Sequence, residues 1–126
     1  MAVKALAKNV RISPRKVGVV ASLVRNRTVD DALNILEFTP KKAAIAIKKT
    51  ILSARANATN NHNYLSKDLR ITEISVTPGS KTLKRVRPVA RGQAHQFKHR
   101  YSHILVFVDG QKREVKNNKQ TTKKDK

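Results

Sequence analysis

Residues 81–100, KTLKRVRPVARGQAHQFKHR, hold seven Lys/Arg, two His and no acid, and they join two segments patterned as strands. A connection this long and this charged does not belong inside a small core. An ordinary solvated loop, the bland alternative, mixes both signs of charge. The only large apolar residues in the run are Leu83, Val86, Val89 and Phe97. Pro88 and Gly92 bracket its midpoint, where the chain is expected to reverse. The simplest geometry is an extended antiparallel hairpin over residues 79–102 that projects from the domain. Arms of roughly eight to ten residues would reach about 30 Å. A two-stranded ribbon of that length is marginal in water, so a partner must hold it, and the charge calls for a phosphate-rich one.

The rest of the chain agrees. Its 126 residues suffice for one domain, expected over residues 1–110. Lys and Arg number 28 against 8 acids, a net charge of +20. That excess repels itself unless a polyanion neutralises it, and nucleic acid gains most because Lys and Arg displace counterions from phosphates. A membrane is the weaker alternative, since no apolar run approaches the roughly 20 residues of a spanning helix. Lys4 and Lys8 interrupt the N-terminal apolar stretch, so no signal peptide is expected and the location is read as cytoplasmic. Without cysteine there is no disulfide, thiolate metal site or thiol nucleophile. The charge is also uneven. Residues 1–29 and 74–108 each hold seven Lys/Arg and no acid, whereas five of the acids fall within residues 30–73. The first and third segments are therefore the expected polyanion-facing surfaces. Residues 111–126 are rich in Lys, Asn, Gln and Thr and are expected to form a disordered basic tail.

Periodicity supplies the scaffold. Ser13-Pro14 reads as a helix start, followed by Val17, Val20, Ala21 and Val24 on one stripe. Thr28 starts a second helix, with Asp31 as capping-box partner and Val29, Ala32, Leu33 and Leu36 as the buried stripe. Thr39-Pro40 repeats the start signal for a third helix over about residues 40–59, with Ala43, Ile47, Ile51, Ala54 and Ala58 facing inward and lysines elsewhere. From Asp68 the period becomes two. Leu69 and Ile71 differ in parity from Ile74 and Val76, which predicts a bulge or a strand buried on different faces along its length. Pro78-Gly79 fits a type II turn or sharp bend. Residues 101–108 carry apolar side chains on both faces, as a central or covered strand does, and Val3, Ala5 and Ala7 suggest one more strand. The fold class is α+β: three helices packed on a small antiparallel sheet, with the long hairpin attached.

Catalysis and metal binding find little support. Nuclease chemistry needs paired carboxylates or a positioned acid–base pair, and Asp30-Asp31 is explained as helix-start chemistry. His95, His99 and His103 would stack on a helix, but on a strand that spacing separates neighbours by about 13 Å. No enzyme activity, cofactor or metal is expected. A DNA-binding helix-turn-helix protein and a free RNA chaperone are the competing classes. The first has no use for a long acid-free arm, and the second would bind chiefly through the tail.

Several motifs then occur in one order: SPRK at the first helix, Asp-Ala-Leu in the second, AAIAIKKTILSARAN in the third, and GSKTLKRVRPVARGQAHQFKHRYSHILVFV over residues 79–108. Together, over about residues 5–108, they resemble the large-subunit ribosomal protein family L-twenty-two. The resemblance implies a structural constituent of the large ribosomal subunit that binds its rRNA, and the Lys/Asn-rich usage points to a bacterial source. It implies other large-subunit proteins and the nascent polypeptide as neighbours, and no homo-oligomer. It places the globular part near the peptide exit and the hairpin along the nascent-peptide tunnel. The tip would be Lys84, Arg85, Val86, Arg87, Pro88, Val89, Ala90, Arg91 and Gly92. Gln93 stands where the family commonly has a basic residue. Arginine forks onto phosphate and stacks on bases, whereas lysine is a mobile point charge. Arg85, Arg87, Arg91 and Arg100 are therefore the expected positioning contacts, with Lys81, Lys84, Lys98 and His99 beside them. Arg11, Arg15 and Lys16 at the first helix's N-terminus form a second expected RNA contact.

Overall fold

The computed structural model describes residues 2–112. An eight-residue strand β1 (Val3–Val10) leads into helices α1 (Pro14–Val24), α2 (Val29–Phe38) and α3 (Lys42–Ala56), and then into two long strands, β2 (Arg70–Pro88) and β3 (Ala94–Asp109). All pairings are antiparallel and the sheet order is β1-β3-β2, so β3 is the central strand, the first of the two arrangements (central or covered) that its apolar faces fit.

Each helix buries the stripe its periodicity defines. Val17, Val20, Ala21 and Val24 of α1 are buried, as are Val29, Ala32 and Leu36 of α2 with Leu33 partly covered. Ala43, Ile47, Ile51, Ala54 and Ala58 line the inner side of the third helix and its extension. They meet Ile104, Val106 and Val108, the inward set of β3, together with Val3, Ala5, Ile71 and Ile74. Each large aliphatic side chain buried here contributes about 1.5–3 kcal/mol. The alanines of α3 leave only short side chains between helix and sheet, which permits close approach.

Local chemistry fixes the ends. Thr28 caps α2 by accepting the Asp31 N–H at 3.2 Å, and its hydroxyl donates to the Asp31 carboxylate at 2.7 Å. The Asp31 side chain thus bonds the cap hydroxyl, because aspartate is shorter than the glutamate of a full capping box. The third helix does not start at Thr39-Pro40. The Thr39 hydroxyl donates back to the Ile35 carbonyl at 2.7 Å and closes α2, and Lys41 takes the N-cap position of α3. Beyond Ala56 the helix widens into a π turn, Asn57–Asn61.

Two irregularities set the register. Thr72 is the extra residue between Ile71 and Glu73, a bulge, the first of the two readings of the parity change. Pro78-Gly79 makes no turn. It lies within β2, where the pairing shifts by two residues between Pro78↔Ser102 and Thr82↔Arg100. Gly79 serves close approach there, since a Cβ would sit 2.9 Å from the Tyr101 Cβ. At the far end, Leu65 N–H donates to the Gln111 carbonyl at 2.9 Å, and Tyr64 bridges to Lys112, so pairing runs two residues past 110. Burial, and next the Asp109 carboxylate beside it, raises the pKa of the Tyr64 phenol. The disorder expected for the basic tail concerns, from residue 113 onward, positions outside the described residues.

Ile51 is fully buried between α3 and the sheet. Ile51→Ala is expected to lower stability by about 2–5 kcal/mol, read as a fall in the urea midpoint at unchanged m-value. Gly79→Ala is expected to destabilise by about 1–3 kcal/mol through overpacking against Tyr101, checked by the same titration.

Candidate nucleic-acid interface

β3 is one unbroken strand whose two halves meet different surroundings. Along residues 102–108 its inward residues alternate with partly exposed His103, Leu105 and Phe107. The same alternation continues into the arm. Residues directly opposite in an antiparallel pair share a face. One face of the arm therefore carries Arg100, Lys98 and Gln96 opposite Thr82, Lys84 and Val86. The other carries His99, Phe97 and His95 opposite Leu83, Arg85 and Arg87. Lys84 and Lys98 face one another directly, a like-charge pair that weakens the ribbon in isolation.

The strands part at Pro88 and rejoin at Ala94. Between them Ala90–Gly92 form a single tight turn, with Val89 N–H donating to the Gln93 carbonyl at 2.9 Å. Arg91 and Gly92 adopt left-handed φ values of 61° and 70°. Glycine takes that conformation at no steric cost, and it lets the chain reverse at the place Pro88 and Gly92 bracket. Of the expected tip, Lys84–Pro88 thus belong to the paired ribbon and Val89–Gly92 to the turn.

At the base of the arm a groove of about 1040 Å³ opens between the first turn of α1, the first turn of α3 and β3. Arg11, Arg15 and Lys16 line one side and Lys98, His99 and Arg100 another, so the two separately expected contact groups meet in one place. Lys41 and Lys42 complete the wall. Among the described residues the lining thus holds seven Lys/Arg and no carboxylate.

The helix ends make this arrangement unusual. Ser13 occupies the N-cap position of α1, but neither its side chain nor that of Lys41 on α3 caps the helix, and neither first turn holds an acid. Cations at a helix N-terminus oppose the macrodipole by about 0.3–1 kcal/mol each. α2 shows the ordinary solution, a threonine cap with Asp30 and Asp31 in its first turn. Both helices that open on the groove thus have a positive end and basic side chains converging on the same space, which suits an anion.

The acids of the helical half are engaged elsewhere. Glu37 lies 3.5 Å from the Lys48 ammonium and Asp30 lies 3.0 Å from the Arg55 guanidinium, and neither pair lines the groove. Arg25 and Arg27 hold main-chain carbonyls of Ile74 and Leu23.

Lys41 and Lys42 were not among the residues singled out from the sequence. A signal was present: Thr39-Pro40-Lys41-Lys42 repeats the sequence pattern of Ser13-Pro14-Arg15-Lys16, a hydroxyl residue and proline followed by two cations where acids would ordinarily stand. The three histidines lie along β3, and His103 Nδ1 accepts the Asn9 N–H at 3.0 Å, bracing the bulge of β1 between Ala7 and Val10. Lys81 falls within the register shift of β2, beside the arm's base.

Comparison with known proteins agrees with this geometry. The family model described as Ribosomal protein L22p/L17e matches residues 5–109. The large ribosomal subunit protein uL22 of Clostridioides difficile is 48% identical over 112 residues, covering 89% of this chain and all of that protein. The protein of the same name from Desulfitobacterium hafniense strain Y51 is 50% identical over 83% of this chain and 91% of its own length. That from Thermus thermophilus is 46% identical over 86% of this chain and 95% of its own. The chain belongs to the ribosomal protein L22p/L17e family.

Proposed function

We propose that this chain is a structural constituent of the large ribosomal subunit, holding large-subunit rRNA in the basic groove and along both faces of the arm. The convergence of seven cations and two helix N-termini on a carboxylate-free groove carries this reading. Such a site neutralises several phosphates at once, and each neutralised phosphate releases condensed counterion. The protein is not an enzyme. Its partners are rRNA and other ribosomal proteins, and no helix among the described residues is long and apolar enough to cross a membrane.

The shape of the arm supports the finer placement that the family resemblance implies. A ribbon two strands wide, exposed on both faces and free of acid, fits a passage walled by RNA. The globular part then sits near the peptide exit, and Lys84–Gly92 reach the nascent-peptide tunnel, where the growing polypeptide is a neighbour. Arg85, Arg87 and Arg91 act there as positioning contacts, with Lys81, Lys84 and Lys98 neutralising phosphates. Arg11, Arg15, Lys16, His99 and Arg100 bind at the base. One copy, in the cytoplasm and without cofactor or metal, completes each subunit.

Sucrose-gradient sedimentation of a lysate tests the assignment. Co-migration with the large subunit that survives a high-salt wash is expected, and release at moderate salt would contradict it. The groove has its own test. Lys41→Ala combined with Lys42→Ala is expected to make the slope of log K for rRNA binding against log salt shallower by about 1.5–2. Lys48→Ala, which removes a lysine paired with Glu37, is expected to leave the slope unchanged.

A further inference from the structure

Phosphate binding explains one face of the arm but not the other. Phe97 stands midway along that second face, directly opposite Arg85, and 39% of its surface is exposed. The guanidinium carbon of Arg87 lies 5.9 Å from the ring centroid, and the His99 imidazole meets the ring edge-on at 5.2 Å and 86°. A phosphate contact has no use for a benzyl side chain, and the contacts that Phe97 makes within the ribbon leave part of its surface open. An aromatic ring flanked by arginines suits a different ligand. Every nucleobase has a π-face, base–aromatic stacking tolerates any base, and the adjoining phosphates meet the cations.

The two faces differ in kind. Lys84, Lys98 and Arg100 share their face with Gln96 and Val86, with no ring among them. Bases in a duplex have their flat sides covered by neighbours, so a stacking partner must be unpaired. An apolar protein segment would also cover Phe97, but it would leave Arg85 and Arg87 without countercharge on an acid-free face.

We propose that Phe97, flanked by Arg85, Arg87 and His99, is a stacking site for an unpaired nucleobase, while the Lys84–Lys98 face holds phosphates. This deepens the rRNA-binding reading above and rests on it. The RNA beside the middle of the arm must then present an unstacked nucleotide on one side only.

The probe is a single-stranded RNA 12-mer with one central 2-aminopurine, titrated with the full chain and with its Phe97→Tyr and Phe97→Leu variants. The wild type and Phe97→Tyr are expected to quench the fluorophore equally. Phe97→Leu is expected to lose the quench and to bind about tenfold more weakly, with its salt slope unchanged. Equal quench and affinity in Phe97→Leu overturns the stacking site and leaves rRNA binding standing, whereas failure of the wild type to bind contradicts rRNA binding itself. In assembled subunits, Phe97→p-benzoylphenylalanine should photocross-link to a nucleotide. A cross-link to protein alone also overturns the proposal.

Discussion

β3 pairs with β2 from Asp109 to Ala94, and that single ladder spans two environments. At one end Ile104, Val106 and Val108 are fully buried beneath the helices. Ser102, buried opposite Pro78, marks the change, because the next inward position is Arg100, whose neighbours are charged. Hydrophobic burial therefore secures half of the strand, and hydrogen bonding to β2 is what secures the rest within the chain itself. Net hydrogen bonds contribute about 1 kcal/mol each, which does not exceed the backbone ordering cost of about 1–2 kcal/mol per residue, and the Lys84–Lys98 repulsion adds to that cost. The remaining stabilisation has to come from a polyanion.

The same division governs the helices. α2 is a self-sufficient element, capped by Thr28, with acids in its first turn and ion pairs from Asp30 and Glu37. α1 and α3 are left electrostatically incomplete at the ends that line the groove. Their apolar stripes anchor them firmly on the sheet, and this anchoring lets their N-termini carry an unfavourable charge arrangement that a bound phosphate would relieve. Core packing thus presents cations that would otherwise disperse. Rigid helices hold Arg15, Lys16, Lys41 and Lys42 against Lys98 and Arg100 of β3.

Much of this was legible in the residues, for identifiable reasons. The 3–4 spacing of Val17, Val20, Ala21 and Val24 and the alternation of Ile104, Val106 and Val108 report burial directly, and burial is what the fold satisfies. The parity change between Ile71 and Ile74 marked a real bulge. Dipeptide signals were less dependable because their meaning depends on partners distant in sequence. Pro78-Gly79 looks like a turn, yet glycine is needed there to pass Tyr101, and Thr39-Pro40 ends one helix instead of starting the next. The groove was half visible. Its Arg11–Lys16 and Lys98–Arg100 walls stood out as acid-free runs, whereas Lys41 and Lys42 lie in the segment richest in acids, whose carboxylates the fold turns elsewhere. Only the tertiary arrangement shows which cations keep company with acids and which do not.

Dependence of the arm on RNA is the central claim, and amide hydrogen exchange reads it most directly. In the free chain, amides of residues 102–108 should exchange slowly, while those of residues 82–88 and 94–100 exchange at nearly unfolded rates. In the assembled large subunit both sets should be protected. Arm amides as slow as those of residues 102–108 in the free chain, or arm amides that gain no protection in the subunit, would contradict the account.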